Sequence, residues 1–184
     1  MKLILYGKND GDELLKLVTF GLSPKYRLHV HSGTRLYTVG KGQEITLIDT
    51  QYISELSLDS YVIIFKPQSH LKSISKVSAS SNTIAIASSK NASQLEDLAA
   101  LSLPIISCGM LAKDTLTFSS RTTDSSVISL LRSVSTLNGK NVDPFELPLN
   151  VPENADDYPL LAYAALCVLL DELDSICMIG NYYK

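Results

Sequence analysis

The chain has 184 residues, of which 45% are hydrophobic and 19% charged, and its formal net charge is −3. This composition favours a folded core over a disordered chain, and the small negative charge without a Lys/Arg cluster argues against general nucleic-acid binding. Neither the N-terminal apolar run nor the stretch YPLLAYAALCVLLDELD is long enough for a signal peptide or a membrane span. We therefore expect one domain over residues 1–184, in a bacterial cytoplasm.

The first half of the sequence alternates apolar runs with amphipathic segments. KLILYG, SYVIIFKP, TIAIASS and PIISCGM predict buried strands, and YRLHVHSGTRLYTVG and EITLID have strand character. DELLKLVTFGL and NASQLEDLAALSL predict helices, the second with Leu95, Leu98 and Leu101 facing the core. The polar passage HLKSISKVSASSN predicts a loop with a short helix. This order predicts an α/β fold with three layers and a mostly parallel sheet.

The pattern changes after Gly109. DTLTFSSR, SSVISLLRSV and FELPLNV are extended, alternating segments, and Asn138-Gly139 is a strong hairpin signal. We expect a small antiparallel extension here. The chain then predicts a helix from about Tyr158 to Asp171 that is apolar almost all round and therefore buried on both sides.

The opening turn, GKNDGDE, has the layout of a phosphate-binding loop without its chemistry. Gly7 and Gly11 supply the tight backbone, but Asp12 and Glu13 stand where a Lys and a Ser or Thr hold phosphate and magnesium. Acidic side chains at a helix start stabilise the helix by about 0.3–1 kcal/mol each, and they repel a bound phosphate. We expect both acids to cap the helix in the phosphate's place, and Lys8 to be a solvated loop lysine.

Three further segments follow the order of landmarks found in one enzyme family. DSYVIIFKPQSH stands where that family has Asp-x-x-Val-x-Glu-x-Ser-Ser-His, with Lys66 in the position of the Glu and His70 in that of the His. IAIASSKNASQLEDLAALSLPIISCGM follows as strand, helix and strand, with Ser88 and Ser89 near the position of an acidic pair. LPLNVPENADDYPLLAYAALCVLL ends in a helix rich in Leu and Ala.

In this order of elements, the chain resembles the central, ATP-binding domain of the Mur ligases and of their folate-adding relatives. The resemblance covers nearly the whole chain, but no motif is intact, and the flanking substrate-binding domains of that family have no room in 184 residues. It implies a cleft at the degenerate loop, whose candidate residues are Gly7, Lys8, Asn9, Gly11, Asp12, Glu13, Lys66 and His70.

Lys66 is the most informative departure from the family pattern. The family's Glu holds magnesium, whereas an ammonium group offers only donors and a repelling charge. If the loops meet as in the family, Lys66 pairs with Asp12 or Glu13 across the old phosphate site. We expect no catalytic residue, no metal site and no cofactor.

Other residues with reactive side chains have simpler interpretations. His29 and His31 share one face of a strand and have no third metal ligand nearby. Asp156 and Asp157 precede an apolar helix and are expected to cap it. The odd number of cysteines, at Cys108, Cys167 and Cys177, indicates reduced thiols, and Cys108 beside a glycine is more simply a packed thiol than a nucleophile.

Three functional hypotheses follow. The preferred one is a non-catalytic Mur-ligase-like domain that binds a protein partner, a second copy of itself through the apolar last helix and tail, or a small molecule in the former nucleotide cleft. The alternative is a nucleotide-binding enzyme or sensor that uses Lys8 and Lys66 without a metal. The third, an unrelated doubly wound domain of the flavodoxin type, predicts no antiparallel segment after Gly109.

Overall fold

The computed structural model describes residues 1–8, 12–69, 76–80, 82–123 and 125–183. Within them the helices are α1 (Glu13–Leu22), α2 (Ala92–Ala100), α3 (Asp157–Leu169), α4 (Leu173–Ile176) and α5 (Met178–Tyr182). The strands are β1 (Lys2–Tyr6), β2 (Tyr26–Ser32), β3 (Arg35–Val39), β4 (Gln43–Thr50), β5 (Glu55–Leu58), β6 (Tyr61–Phe65), β7 (Lys76–Ala79), β8 (Ile84–Ser88), β9 (Ile105–Cys108), β10 (Leu116–Arg121), β11 (Ser126–Leu130), β12 (Val134–Ser135), β13 (Asn141–Val142) and β14 (Phe145–Leu149).

A ten-stranded sheet organises the molecule, in the order β14-β11-β10-β9-β8-β6-β1-β4-β2-β3. The strands from β10 through β2 pair in parallel, while β3 at one margin and β11 and β14 at the other pair antiparallel. The α/β fold with a mostly parallel sheet and an antiparallel extension is therefore confirmed. The antiparallel strands after Gly109 contradict the flavodoxin-type alternative.

Alternation along the central strand places apolar side chains on both faces of the sheet. Leu3 and Leu5 of β1 enter a large core that α1, α3 and α4 cover. Ile4 and Tyr6 enter a second core with Leu98 of α2. Because parallel strands are usually buried on both faces, β1 reads as a nearly continuous apolar run. These two cores give the three layers.

Helix α3 is the interior element that the sequence predicts. Every residue from Tyr158 to Leu169 is buried, and the Asp156 side chain accepts a hydrogen bond from the Tyr158 backbone N–H at 3.3 Å. The expected N-terminal cap is thus present at Asp156. The apolar surface of α3 packs inside the chain, so self-association through this helix would require its release from the core.

Three details differ from the sequence-based expectations. Residues Lys76–Ala79, expected in a loop, form a strand that pairs in parallel with Glu55–Leu58. In α2 the buried residues are Gln94 and Leu98, and Leu101 is exposed because the helix ends before it. The Asn138-Gly139 turn closes the β12–β13 hairpin with positive φ at Gly139 alone, so the turn is not the type I′ form with two positive φ angles. No helix in the described ranges is long and apolar enough to cross a membrane.

Candidate functional site

The opening turn lies where β1 ends between two parallel neighbours. Tyr6 pairs with Thr50 of β4 on one side and with Phe65 of β6 on the other. The chain leaves β1 toward β2 and later returns to the opposite side at β6, so β1 stands at the point where strand order diverges. In α/β sheets, ligands bind beyond the carboxyl ends of the strands at such a point. The geometry therefore makes this edge the first place to look for a site.

Gly7 is packed against the loop that follows β6. Its φ of +131° is a conformation that side-chain-bearing residues rarely adopt, and a Cβ built there would lie 2.8 Å from the Ser69 Cβ and 2.9 Å from the Lys66 Cβ. The Lys66 backbone N–H donates to the Tyr6 carbonyl at 2.8 Å, which holds the two loops together. The loop after β6 therefore packs directly against Gly7.

The loop from Lys66 to Ser69 is fixed from the side of α2. Gln94 donates from its Nε2 to the Ser69 carbonyl at 2.9 Å and to the Ser69 Oγ at 2.7 Å. Asn91, whose side chain caps α2, donates from its Nδ2 to the Pro67 carbonyl at 3.0 Å. Because these bonds are buried or half-buried, the loop is held in place over Gly7.

A buried ion pair stands at the centre of this edge. The Lys66 Nζ lies 2.7 Å from Asp49 Oδ1, and the Ser32 Oγ donates to Asp49 Oδ2 at 2.8 Å. The Asp49 side chain is 0% exposed and that of Lys66 8%. Both oxygens of the carboxylate therefore have partners, as a buried charge requires.

The acids of the opening turn have other partners than expected. Asp12 pairs with Arg35 at 2.8 Å, and Glu13 accepts a hydrogen bond from the Tyr183 hydroxyl. Asp12 has a left-handed backbone (φ 59°), and its side chain makes no capping hydrogen bond to α1. The expected pairing of Lys66 with Asp12 or Glu13 is wrong, because the ammonium group pairs with the inward-facing Asp49. Helix capping by the Asp12 side chain is also wrong, because that side chain pairs with Arg35.

Little space is left between these groups. Lys8, Asp12, Glu13 and Lys66 line a cavity of about 50 Å³ together with Tyr158 and its neighbours. A water molecule occupies about 30 Å³ in the liquid, and pockets for small ligands measure about 300–1,000 Å³. Between these groups the described residues leave room for water, and a more open depression of about 490 Å³ adjoins them at Pro67, Gln68 and residues 90–93. Asn9, Gly11 and His70 lie outside the described residues.

The remaining reactive residues form no site. Burial raises the pKa of the Cys108 thiol, with a contribution from Asp114, and burial raises that of Cys167 to about 12, so both thiols are protonated at neutral pH. His29 lies 3.2 Å from the Thr38 hydroxyl and 3.6 Å from Glu44. In the described part of the chain, no group of three or more His, Cys, Asp or Glu side chains is arranged to hold a metal.

Sequence reasoning missed Asp49, the partner of Lys66. The signal was present in EITLID, where Ile45, Leu47 and Asp49 alternate on one face of β4 and are all buried. Side chains two residues apart in a strand lie on the same face of the sheet, so an acid that follows two buried aliphatic residues at this spacing is itself buried and needs a cation.

Solved structures with a similar fold include Mur ligases. A murein peptide ligase, Mpl, from Psychrobacter arcticus superposes with a TM-score of 0.63 at 10% identity, over 97% of this chain and 46% of that one. MurF from Acinetobacter baumannii gives 0.59 at 10% identity, over 100% of this chain and 46% of that one. The chain has the fold of the Mur ligases.

A third structure agrees with this assignment. The UDP-N-acetylmuramate:L-alanyl-gamma-D-glutamyl-meso-diaminopimelate ligase from Neisseria meningitides gives a TM-score of 0.61 at 9% identity, over 100% of this chain and 66% of that one. The chain thus spans about half to two thirds of the length of these Mur ligases. No family model matches the sequence, and no curated protein matches it.

Proposed function

We propose that this Mur-ligase-like chain does not hydrolyse ATP and acts by binding a protein partner, a second copy of itself or a small molecule. The observation that carries the proposal is the buried Lys66–Asp49 pair at the edge where the Mur-ligase fold would bind nucleotide. Magnesium needs oxygen ligands, and Lys66 brings an ammonium group to the position that the family gives to its magnesium-binding Glu.

The cost of opening the site supports the same proposal. A phosphate that used Lys66 would have to separate it from Asp49, and breaking a buried ion pair costs about 3–5 kcal/mol. The phosphate would also have to displace Ser69, which two hydrogen bonds from Gln94 hold against Gly7. Bound phosphate would then lie near Asp12, a carboxylate that repels it.

Titration calorimetry with ATP, ADP and GTP, each with and without magnesium, tests this proposal. The protein should first be checked for nucleotide carried over from purification. We expect no binding tighter than about 100 μM, which corresponds to about 5.5 kcal/mol. Binding tighter than about 100 μM without magnesium would favour the alternative, a nucleotide-binding enzyme or sensor that uses Lys8 and Lys66.

One variant separates the two reasons for which we expect no nucleotide binding, namely charge repulsion and lack of space. Asp12→Asn removes the negative charge from the mouth of the cavity and leaves the packing over Gly7 in place. If Asp12→Asn binds nucleotide, charge repulsion alone closes the site. If Asp12→Asn does not bind nucleotide, as we expect, the packing of protein atoms in the cavity is sufficient to prevent binding. Light scattering on the same samples would reveal a second copy as the binding partner.

A further inference from the structure

A much larger cleft lies at the opposite end of the same parallel strands. Its volume is about 800 Å³, and its floor is formed where β4, β6 and β8 begin, at Ile45, Val62 and Ile84. The segment Arg132–Asn138, which contains β12, lines it together with Leu169 at the end of α3. Since pockets for small ligands measure about 300–1,000 Å³, this cleft has the size of a binding site for a whole small molecule.

The charge of the cleft is of one sign. Among its described lining residues, Arg132 carries the one charged side chain and none is acidic, although the whole chain has a net charge of −3. The Arg132 Nη1 donates to the Lys113 carbonyl, which anchors the guanidinium group. This guanidinium group favours an anionic ligand.

The rest of the lining is divided between two kinds of surface. The floor is aliphatic, and the walls carry uncharged polar side chains, namely Gln43, Ser60, Asn82, Thr115, Ser133 and Asn138. Hydroxyl and amide groups donate hydrogen bonds to an acid group without imposing a charge of their own. An apolar floor with a few placed polar groups is the usual composition of a small-molecule site.

We propose that this cleft binds a small molecule with an apolar body and one acidic group, the acid at Arg132 and the body on the aliphatic floor. The cleft lies at the amino ends of the strands, away from the former phosphate loop, so the proposal does not rest on the loss of nucleotide binding.

The probe is anilinonaphthalene sulfonate, which combines a sulfonate with apolar rings and becomes fluorescent in apolar surroundings. We expect saturable binding with one molecule per chain. 1-Naphthaleneacetate should displace the probe, and 1-naphthylethylamine, a similar body with a cationic group, should not. Inorganic phosphate alone should compete weakly because it lacks the apolar part.

Two variants with matched controls locate the binding. Arg132→Gln should weaken probe binding about 10-fold or more, the effect of losing a charge-assisted hydrogen bond, while Arg35→Gln removes the same charge on β3 and should leave binding unchanged. Gln43→Trp adds a ring to the cleft wall and should abolish binding. Gln51→Trp makes the same change at an exposed position beyond the other end of β4 and should not.

Each contrary result would overturn the proposal. Absence of saturable binding, equal binding by wild type and Gln43→Trp, or equal binding by wild type and Arg132→Gln would each show that the cleft does not take this ligand class. Displacement by the amine as well as by the carboxylate would do the same. Circular dichroism and thermal melts of all four variants would confirm that each one is folded.

Discussion

The two ends of one parallel sheet differ in how their side chains use space and charge. At the carboxyl end, Lys66 and Asp49 pair with each other and leave a cavity of about 50 Å³. At the amino end, uncharged polar side chains surround a cleft of about 800 Å³ with a single guanidinium group among its described lining residues. Ligands of α/β sheets usually bind at the carboxyl end. In this chain an internal ion pair occupies the carboxyl end, beside an open depression of about 490 Å³, whereas the larger cleft lies at the amino end.

The largest expected effect comes from breaking the buried pair. Asp49→Leu removes the carboxylate next to which Lys66 is buried, and we expect the free energy of unfolding to fall by about 3–5 kcal/mol. The double variant Asp49→Leu/Lys66→Met places two apolar groups together and should recover much of this loss, with a coupling energy of about 1–3 kcal/mol. Urea denaturation of wild type, both single variants and the double variant measures the coupling.

A second cycle, between Lys66 and Asp12, is the matched control. Its coupling should stay below about 0.5 kcal/mol because Asp12 pairs with the exposed Arg35. A larger coupling for Lys66 with Asp12 than with Asp49 would restore the pairing expected from the sequence and contradict the structure.

The packing over the opening turn can be tested through Gly7. Gly7→Ala places a Cβ within 3 Å of both Ser69 and Lys66 on a backbone with φ +131°, and we expect a loss of about 2–3 kcal/mol. Gly33→Ala is the control, because Gly33 also has positive φ but nothing lies within 4 Å of an added Cβ; it should cost about 1 kcal/mol. Equal losses in thermal or urea denaturation would mean that the loop after β6 does not press on Gly7.

The sequence predicts the fold better than it predicts the site. Strands such as SYVIIFKP and the all-apolar α3 are recognisable because burial on both sides leaves a continuous apolar run. The β5–β7 pair was missed because both segments are short and polar, and their pairing depends on tertiary contacts that no local pattern encodes.

The site depends on which carboxylate pairs with Lys66, and the spacing of residues along the chain does not determine this. Lys66 had three acids within reach in principle, and Asp12 and Glu13 were favoured because they stand in the phosphate loop. The register of the sheet decides instead, since it places Ser32 beside Asp49, and Lys66, which follows β6, reaches Asp49 across the end of the intervening strand β1. The alternation of buried residues in β4, which turns Asp49 inward, therefore predicts the partner of Lys66 better than the position of Asp12 and Glu13 in a motif does.

The smallest expected effect concerns the wall of the open cleft. Tyr26 lines the cleft and donates to Glu172 at 3.1 Å; burial and the nearby Glu172 carboxylate raise its pKa to about 12, above the ordinary value of 10. Between pH 10 and 12 the Tyr26 phenol loses its proton in the unfolded chain before it does so in the folded one. The contribution of Tyr26 to the free energy of unfolding is therefore present below pH 10 and is lost as the pH rises, by at most about 1.4 kcal/mol per pH unit.

Tyr26→Phe removes this contribution, and the difference in unfolding free energy between wild type and Tyr26→Phe should therefore shrink from pH 10 to 12. Lys25, which also bonds to Glu172, is present in both proteins. Tyr52→Phe, at a side chain that is 83% exposed, is the control and should give a difference that does not vary with pH. Urea denaturation at pH 8, 10 and 11 measures both. A constant difference for Tyr26→Phe would show that its hydroxyl is solvated, and the cleft wall at Tyr26 would then be more open than the structure has it.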